Sequence, residues 1–140
     1  MTVAVELLLD TGPLVAALNR GDRDHERCVT VLEGFRGILL TTEAVLTESM
    51  YLMARVSGGE QVCLDFFVRQ GATIVPQSRE SLVRCKQLMA RYHDVPMDFA
   101  DATLVALAED LGSRRVFTLD RRGFGIYRVQ RRERFTIVPD

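Results

Sequence analysis

The sequence predicts an α/β fold, a mainly parallel sheet with helices on both faces. Three observations predict it. Short apolar runs rich in Leu, Val and Ile recur along the chain, segments with helical spacing separate them, and the runs are near-continuous rather than alternating, as in strands buried on both faces. The chain has 140 residues, 47% hydrophobic and 26% charged, which suits one core and one domain over 1–140. Its apolar runs, such as Leu7 to Leu9 and Leu14 to Leu18, fall far short of the ~20 residues that span a bilayer, and no charged-then-apolar leader precedes them. A soluble, unexported, cytoplasmic protein without membrane contact is therefore expected.

The elements follow in order. Val3 to Leu9 reads as a buried strand stopped by Asp10-Thr11-Gly12-Pro13, with Pro13 in the first turn of a helix that ends near Asn19 to Gly21. Cys28, Val31, Leu32 and Phe35 share one face of a second helix over Asp24 to Phe35. Ile38 to Leu40 is a strand, after which Thr41 or Thr42 caps a helix running to about Val56, where Ser57-Gly58-Gly59 breaks it. A helix over Glu60 to Gln70 closes at Gly71, and Thr73 to Val75 is a strand closed by Pro76. Ser78 caps a helix with Leu82, Cys85, Leu88, Met89 and Tyr92 on one side, and a further helix spans Asp98 to Leu111 before Gly112. Val116 to Leu119, a short piece near Ile126 to Val129, and Phe135 to Val138 complete the strands.

Composition excludes several chemistries. Cys28, Cys63 and Cys85 are odd in number, widely spaced and set among apolar residues, which suits reduced core thiols. His25 and His93 have no His or Cys neighbour at ligand spacing, so a zinc site or a histidine triad is not expected. The net charge of −1 hides a segregation: residues 112–140 carry eight Arg against three acids, a balance of +5, leaving −6 on the rest. Lys86 is the only lysine among 18 basic residues, and Arg is the better fork for phosphate, so a basic end beside an acidic body hints at nucleic acid or at a solvated face.

The chemistry lies in carboxylates. Leu7-Leu8-Leu9-Asp10 and Val116-Phe117-Thr118-Leu119-Asp120 each place an Asp just past an apolar run, at the edge where α/β folds gather their chemistry, although either Asp also suits a turn or a helix cap. Glu48 falls between Val45 and Leu52 on the inward stripe of its helix, where a carboxylate is costly unless paired or bound to a cation. Asp98 and Asp101 open a helix that is apolar from Ala102 to Ala108 apart from Thr103. Asp98 reads equally as an N-cap, and Asp101 as a first-turn anion favoured by the helix dipole. Gathered at one edge, Asp10, Glu48, Asp101 and Asp120 repel one another unless a cation neutralises them, and an all-oxygen set selects Mg²⁺ or Mn²⁺.

Asp10-Thr11-Gly12-Pro13-Leu14, Thr42 through Glu48, Met97-Asp98-Phe99-Ala100-Asp101-Ala102 and Phe117-Thr118-Leu119-Asp120 resemble, in order and spacing, the four acidic motifs of PIN-domain ribonucleases, and most closely the VapC-like toxins of type II toxin–antitoxin pairs. The resemblance implies an α/β/α sandwich and divalent-metal-dependent hydrolysis of RNA phosphodiesters to 5′-phosphate and 3′-hydroxyl ends. It maps the family's acids onto Asp10, Glu48, Asp101 and Asp120, with Asp98 a further acid in the third motif. It sets Thr118 to support the attacking water, and Thr11 to support Asp10. It also implies a homodimer and a small antitoxin that covers the acidic cleft. Arg121 and Arg122, directly after Asp120, are candidates for holding the RNA backbone. One departure stands out: many relatives have another Asp where this chain has Gly123, which bears on a second ion.

Two other readings compete. An aspartyl-phosphate receiver needs a late-strand lysine, but Lys86 falls in a helix, and the related phosphatases start on D-x-D where this chain has Asp10-Thr11-Gly12. A catalytically weak PIN-fold module that binds RNA or protein has only Gly123 in its favour.

Overall fold

The structure, a computed structural model, describes residues 5–140. In chain order it comprises β1 (Glu6–Leu9), α1 (Thr11–Leu18), α2 (His25–Gly34), β2 (Ile38–Thr41), α3 (Glu43–Met53), α4 (Gly59–Val68), β3 (Thr73–Ile74), α5 (Arg79–Arg91), α6 (Phe99–Leu111), β4 (Arg115–Phe117), α7 (Arg121–Ile126), β5 (Arg128–Val129), β6 (Glu133–Arg134) and β7 (Thr136–Val138). Val3 and Ala4 of the expected first strand lie outside the described residues.

Five strands form one sheet in the order β3-β2-β1-β4-β7, and every neighbouring pair is parallel. The near-continuous apolar runs follow from this, since Leu7, Leu8, Leu9, Leu39, Leu40, Val116 and Phe117 are all buried. Helices flank the sheet: α1 packs against α2 and α3, α3 against α4 and α6, and α5 against α6. The most deeply placed is α6, whose Ala102 to Ala108 are buried without a break. Cys28, Cys63 and Cys85 are free and buried, and burial raises all three thiols, Cys28 to about 11.

Local chemistry sets the helix ends. Thr42, not Thr41, caps α3 by accepting from the Val45 N–H, while the Thr41 hydroxyl donates to the Leu9 carbonyl across the sheet. Ser78 and Ser81 cap α5 reciprocally. Gly112 ends α6 at φ +67, a left-handed conformation that glycine adopts without a Cβ penalty. The α3 helix stops at Met53, short of the expected Val56, and its buried stripe is Val45, Ser49 and Met53, with Glu48 half-buried at its border.

Two elements depart from the sequence expectation. The residues after Asp120 form the six-residue α7, and Arg128 to Arg134 form a small antiparallel hairpin separate from the main sheet. Along the main sheet the chain runs outward from β1 through β2 to β3, then crosses back so that β4 lies on the other side of β1. The topological switch point is therefore between β1 and β4, where a crevice opens at the carboxyl ends of parallel strands.

Candidate active site

That crevice begins with Asp10 and Thr118, the residues after β1 and β4. The Asp10 N–H bonds to the Phe117 carbonyl at 3.0 Å, extending the ladder by one step and setting the two side chains next to each other. Thr118 Oγ1 donates to Asp10 Oδ2 at 2.7 Å, and the Thr11 N–H donates to Oδ1 at 2.8 Å, so Asp10 is at once a strand-end acid and the N-cap of α1. Thr118 Oγ1 also accepts from the Asp120 N–H at 3.0 Å, while Asp120 Oδ1 accepts from the Gly123 N–H and caps α7. A single buried hydroxyl thus joins two of the acids.

Thr11 joins a third. Its backbone supports Asp10 as expected, but its hydroxyl donates to Glu48 Oε1 at 2.6 Å and holds α3 to the start of α1. Asp98 is exposed and caps α6 by accepting from the Asp101 N–H at 2.8 Å. Asp101, one turn in and half-buried, accepts on Oδ2 from the phenol of Tyr127 at 2.8 Å.

The electrostatics bind these acids into one group. Burial pushes the Asp10 carboxyl up to about 6 against the hydrogen bonds from Thr118 and Thr11, and the charges of Glu48 and Asp98 push the same way. Asp101 is raised by burial first, then by Asp10 and Asp98 and, more weakly, by Asp120, with the Tyr127 bond opposing. Burial and the Asp101 carboxylate in turn raise the Tyr127 phenol, which stays protonated as a donor. Among the described residues none of the five acids has an ion-pair partner within 4.0 Å.

Such a set fits a hard divalent cation by donor chemistry: oxygen ligands only, mutually repelling, and without a protein counter-charge. The fit is one of donor type alone: among the described residues no group of three or more His, Cys, Asp or Glu is placed so that it could hold a metal ion. A groove of about 720 Å³ runs alongside between α3 and α6, with Glu48 and Asp98 on its walls and the exposed rings of Tyr51 and Phe99 at its rim. A second hollow, about 410 Å³, lies at the amino ends of β2 and β3 and is lined by no acid.

Similarity to known proteins agrees with this geometry. The PIN domain family model matches residues 7–131, most of the chain and all four acidic segments. The chain belongs to the PIN-domain family. Among curated relatives, this PIN domain is 27% identical over 135 residues to Ribonuclease VapC26 of Mycobacterium tuberculosis, covering 95% of this chain and all of that one. Several solved structures share the fold. VapC20 of M. tuberculosis, a toxin that cleaves the sarcin–ricin loop, has a TM-score of 0.75 at 18% identity over 84% of this chain and 92% of its own. A toxin–antitoxin complex from Klebsiella pneumoniae gives 0.64 at 21% over 86% and 91%. VapBC2 of Rickettsia felis, bound to a promoter DNA fragment, gives 0.63 at 16% over 95% and 97%.

The PIN fold thus places Asp10, Thr118 and Asp120 in one hydrogen-bonded string and links Glu48 to Asp10 through Thr11. Asp98 and Asp101 stand at the amino end of α6. Arg121 and Arg122 are exposed, and the Arg121 guanidinium donates to the Pro139 carbonyl. Sequence reasoning missed Tyr127. It falls in the stretch near Ile126 to Val129 that reads as a short strand, and its only signal as a site residue was the Phe124–Tyr127 spacing.

Proposed function

We propose that this chain is a divalent-metal-dependent ribonuclease, the toxin of a type II toxin–antitoxin pair, which hydrolyses RNA phosphodiesters to 5′-phosphate and 3′-hydroxyl ends. One observation carries the reading: in a PIN-domain chain, the Thr118 hydroxyl ties Asp10 to Asp120 and Thr11 ties Asp10 to Glu48 through its N–H and its hydroxyl, with Asp101 in electrostatic reach and, among the described residues, no basic side chain within 4.0 Å of these acids. The similarity to Ribonuclease VapC26 supports the activity.

In this reading Asp10 and Asp101 hold the principal Mg²⁺ or Mn²⁺, Glu48 and Asp120 complete the site, and Asp98 adds charge at the rim. The ion supplies, when bound, neutralisation of the acids, activation of water and counter-charge to the phosphate. The chain does the rest. Thr118 fixes Asp10 and Asp120 in one register, and Thr11 keeps Glu48 turned toward Asp10, where it can orient the attacking water. Arg122 offers a guanidinium to the RNA backbone, with Arg121 beside it tied to the C-terminal strand. An antitoxin partner is proposed because two of the structural relatives are VapBC-type or toxin–antitoxin complexes, and the acidic groove suits a basic and apolar segment. Pairing of two copies is proposed from the family resemblance.

The test is cleavage of RNA by purified protein with Mn²⁺, compared with Asp10→Asn, followed by ligation mapping of the ends. Metal-dependent cutting that leaves ligatable 5′-phosphates and falls at least a hundredfold in the variant is expected. Equal cleavage by both proteins overturns the assignment, and RNA binding without cleavage favours the catalytically weak binding module.

A further inference from the structure

Tyr127 is not among the acids or hydroxyls of the four motifs, yet its phenol reaches Asp101 Oδ2 at 2.8 Å. We propose that Tyr127 is a positioning residue: its hydroxyl fixes one oxygen of Asp101, so that the other is presented in a single orientation to the cation. The inference rests on the reading that Asp101 helps to hold that ion.

Three features support it. The ring is 1% exposed and edge-packed on Phe124 and Tyr92, each at 5.1 Å between centroids, so the phenol has one place to go. Asp101 Oδ1 has no protein hydrogen-bond donor among the described residues, so the bond divides the carboxylate into a held oxygen and a free one. Finally, α7 builds the arrangement: Asp120 caps its start through the Gly123 N–H, and the Tyr127 N–H returns to the Gly123 carbonyl at its end. The six-residue helix therefore sets Asp120 and the support of Asp101 together. Outer-shell donors of this kind commonly change metal affinity 10- to 100-fold when removed.

The deciding experiment is calorimetric titration of Mn²⁺ into the wild-type protein, Tyr127→Phe, Asp101→Asn and the double variant, with Tyr92→Phe as control. Tyr92 has its own phenol bond, accepting from the Arg128 N–H, but does not touch an acid. Tyr127→Phe is expected to weaken Mn²⁺ binding roughly tenfold or more, with no further loss on the Asp101→Asn background. Tyr92→Phe is expected to bind as wild type. Wild-type binding in Tyr127→Phe overturns the inference alone, whereas absence of Mn²⁺ binding by the wild-type protein overturns the metal reading with it. A second measurement needs no variant to fold: on Mg²⁺ addition to the wild type, the Tyr127 ring-carbon NMR signal should move with the binding curve, and an unmoved signal also overturns the proposal.

Discussion

Thr11 Oγ1 donates to Glu48 Oε1 at 2.6 Å, a bond between residues 37 apart in sequence that ties the first turn of α1 to the middle of α3. The same residue gives its backbone N–H to Asp10, so one threonine fixes two carboxylates of the candidate site. Thr11→Val keeps the shape and the backbone bond but frees Glu48. Turnover on RNA is expected to fall about tenfold, equivalent to ~1.4 kcal/mol of barrier, with recovery in Thr11→Ser. Steady-state cleavage rates at saturating Mn²⁺ check this, and an unchanged rate would show that Glu48 needs no holding.

Thr118 is 1% exposed, donates to Asp10 and accepts from the Asp120 N–H. Thr118→Val leaves a buried carboxylate one donor short and a backbone donor without its acceptor. A loss of about 1–3 kcal/mol in urea unfolding is expected, in the range for unmet buried hydrogen bonds, together with a loss of activity. Thr118→Ser should retain most of both. If the valine variant is as stable as wild type, the hydroxyl is not what holds the acid.

Asp10 has a carboxyl raised from 3.8 to about 6, through burial first and then the neighbouring charges. A carboxyl raised on folding binds its proton more tightly in the native state, so its contribution to stability is complete below pH ~4 and is lost as pH rises through about 6. Asp101, raised in the same direction, extends the loss to higher pH. Without metal, Asp10→Asn should therefore gain stability over wild type as pH climbs from 4 to 7, by an amount on the order of 2–3 kcal/mol. Mn²⁺ should reverse the order at pH 7 by stabilising the wild type alone. Denaturation curves in chelator and in Mn²⁺, at both pH values, make the comparison, and a pH-independent difference refutes it.

The strands and long helices were legible because each carried several concordant signals. Leu7 to Leu9 and Val116 to Phe117 are buried runs, Thr42 and Ser78 are caps, and Gly112 is a left-handed stop. The acids were legible as anomalies: Asp10 and Asp120 follow strands, while Glu48, expected on the apolar stripe of its helix, stands half-buried at the border of that stripe. The last strand was legible too, as β7, but the stretch from Arg121 to Arg134 was legible only as a short strand near Ile126 to Val129, which β5 meets at Arg128–Val129. Arg121-Arg122-Gly123-Phe124-Gly125-Ile126 has two glycines in six residues, a composition that disfavours helix, and α7 forms because Asp120 caps it and Phe124 is buried. The β5–β6 hairpin turns through Gln130 and Arg131 at φ 51 and 71, without the Asn or Gly that signals such a turn. Tyr127 lies between α7, which the sequence did not show, and a hairpin of which it showed only the first strand, and its partner Asp101 is 26 residues away in sequence.

Gly123 occupies the position where many PIN-domain relatives carry an additional acid, and the geometry gives glycine a purpose there. A Cβ on Gly123 would lie 2.3 Å from Asp120 Oδ2 and 3.2 Å from the Tyr127 hydroxyl oxygen, whereas one on Gly125 would meet nothing within 4 Å. The pair forms a controlled comparison inside one short helix. Gly125→Ala should leave Mn²⁺ binding and cleavage unchanged and raise stability by up to ~1 kcal/mol through helix propensity. Gly123→Ala has the same propensity gain but must swing the Asp120 carboxylate off its N–H cap, so activity should fall severalfold even where the melting temperature holds. Parallel cleavage assays and thermal melts of the two variants decide the matter. Equal activities would mean that Asp120 has room to turn, and that its hydrogen bond to the Gly123 N–H does not fix the position the reaction requires.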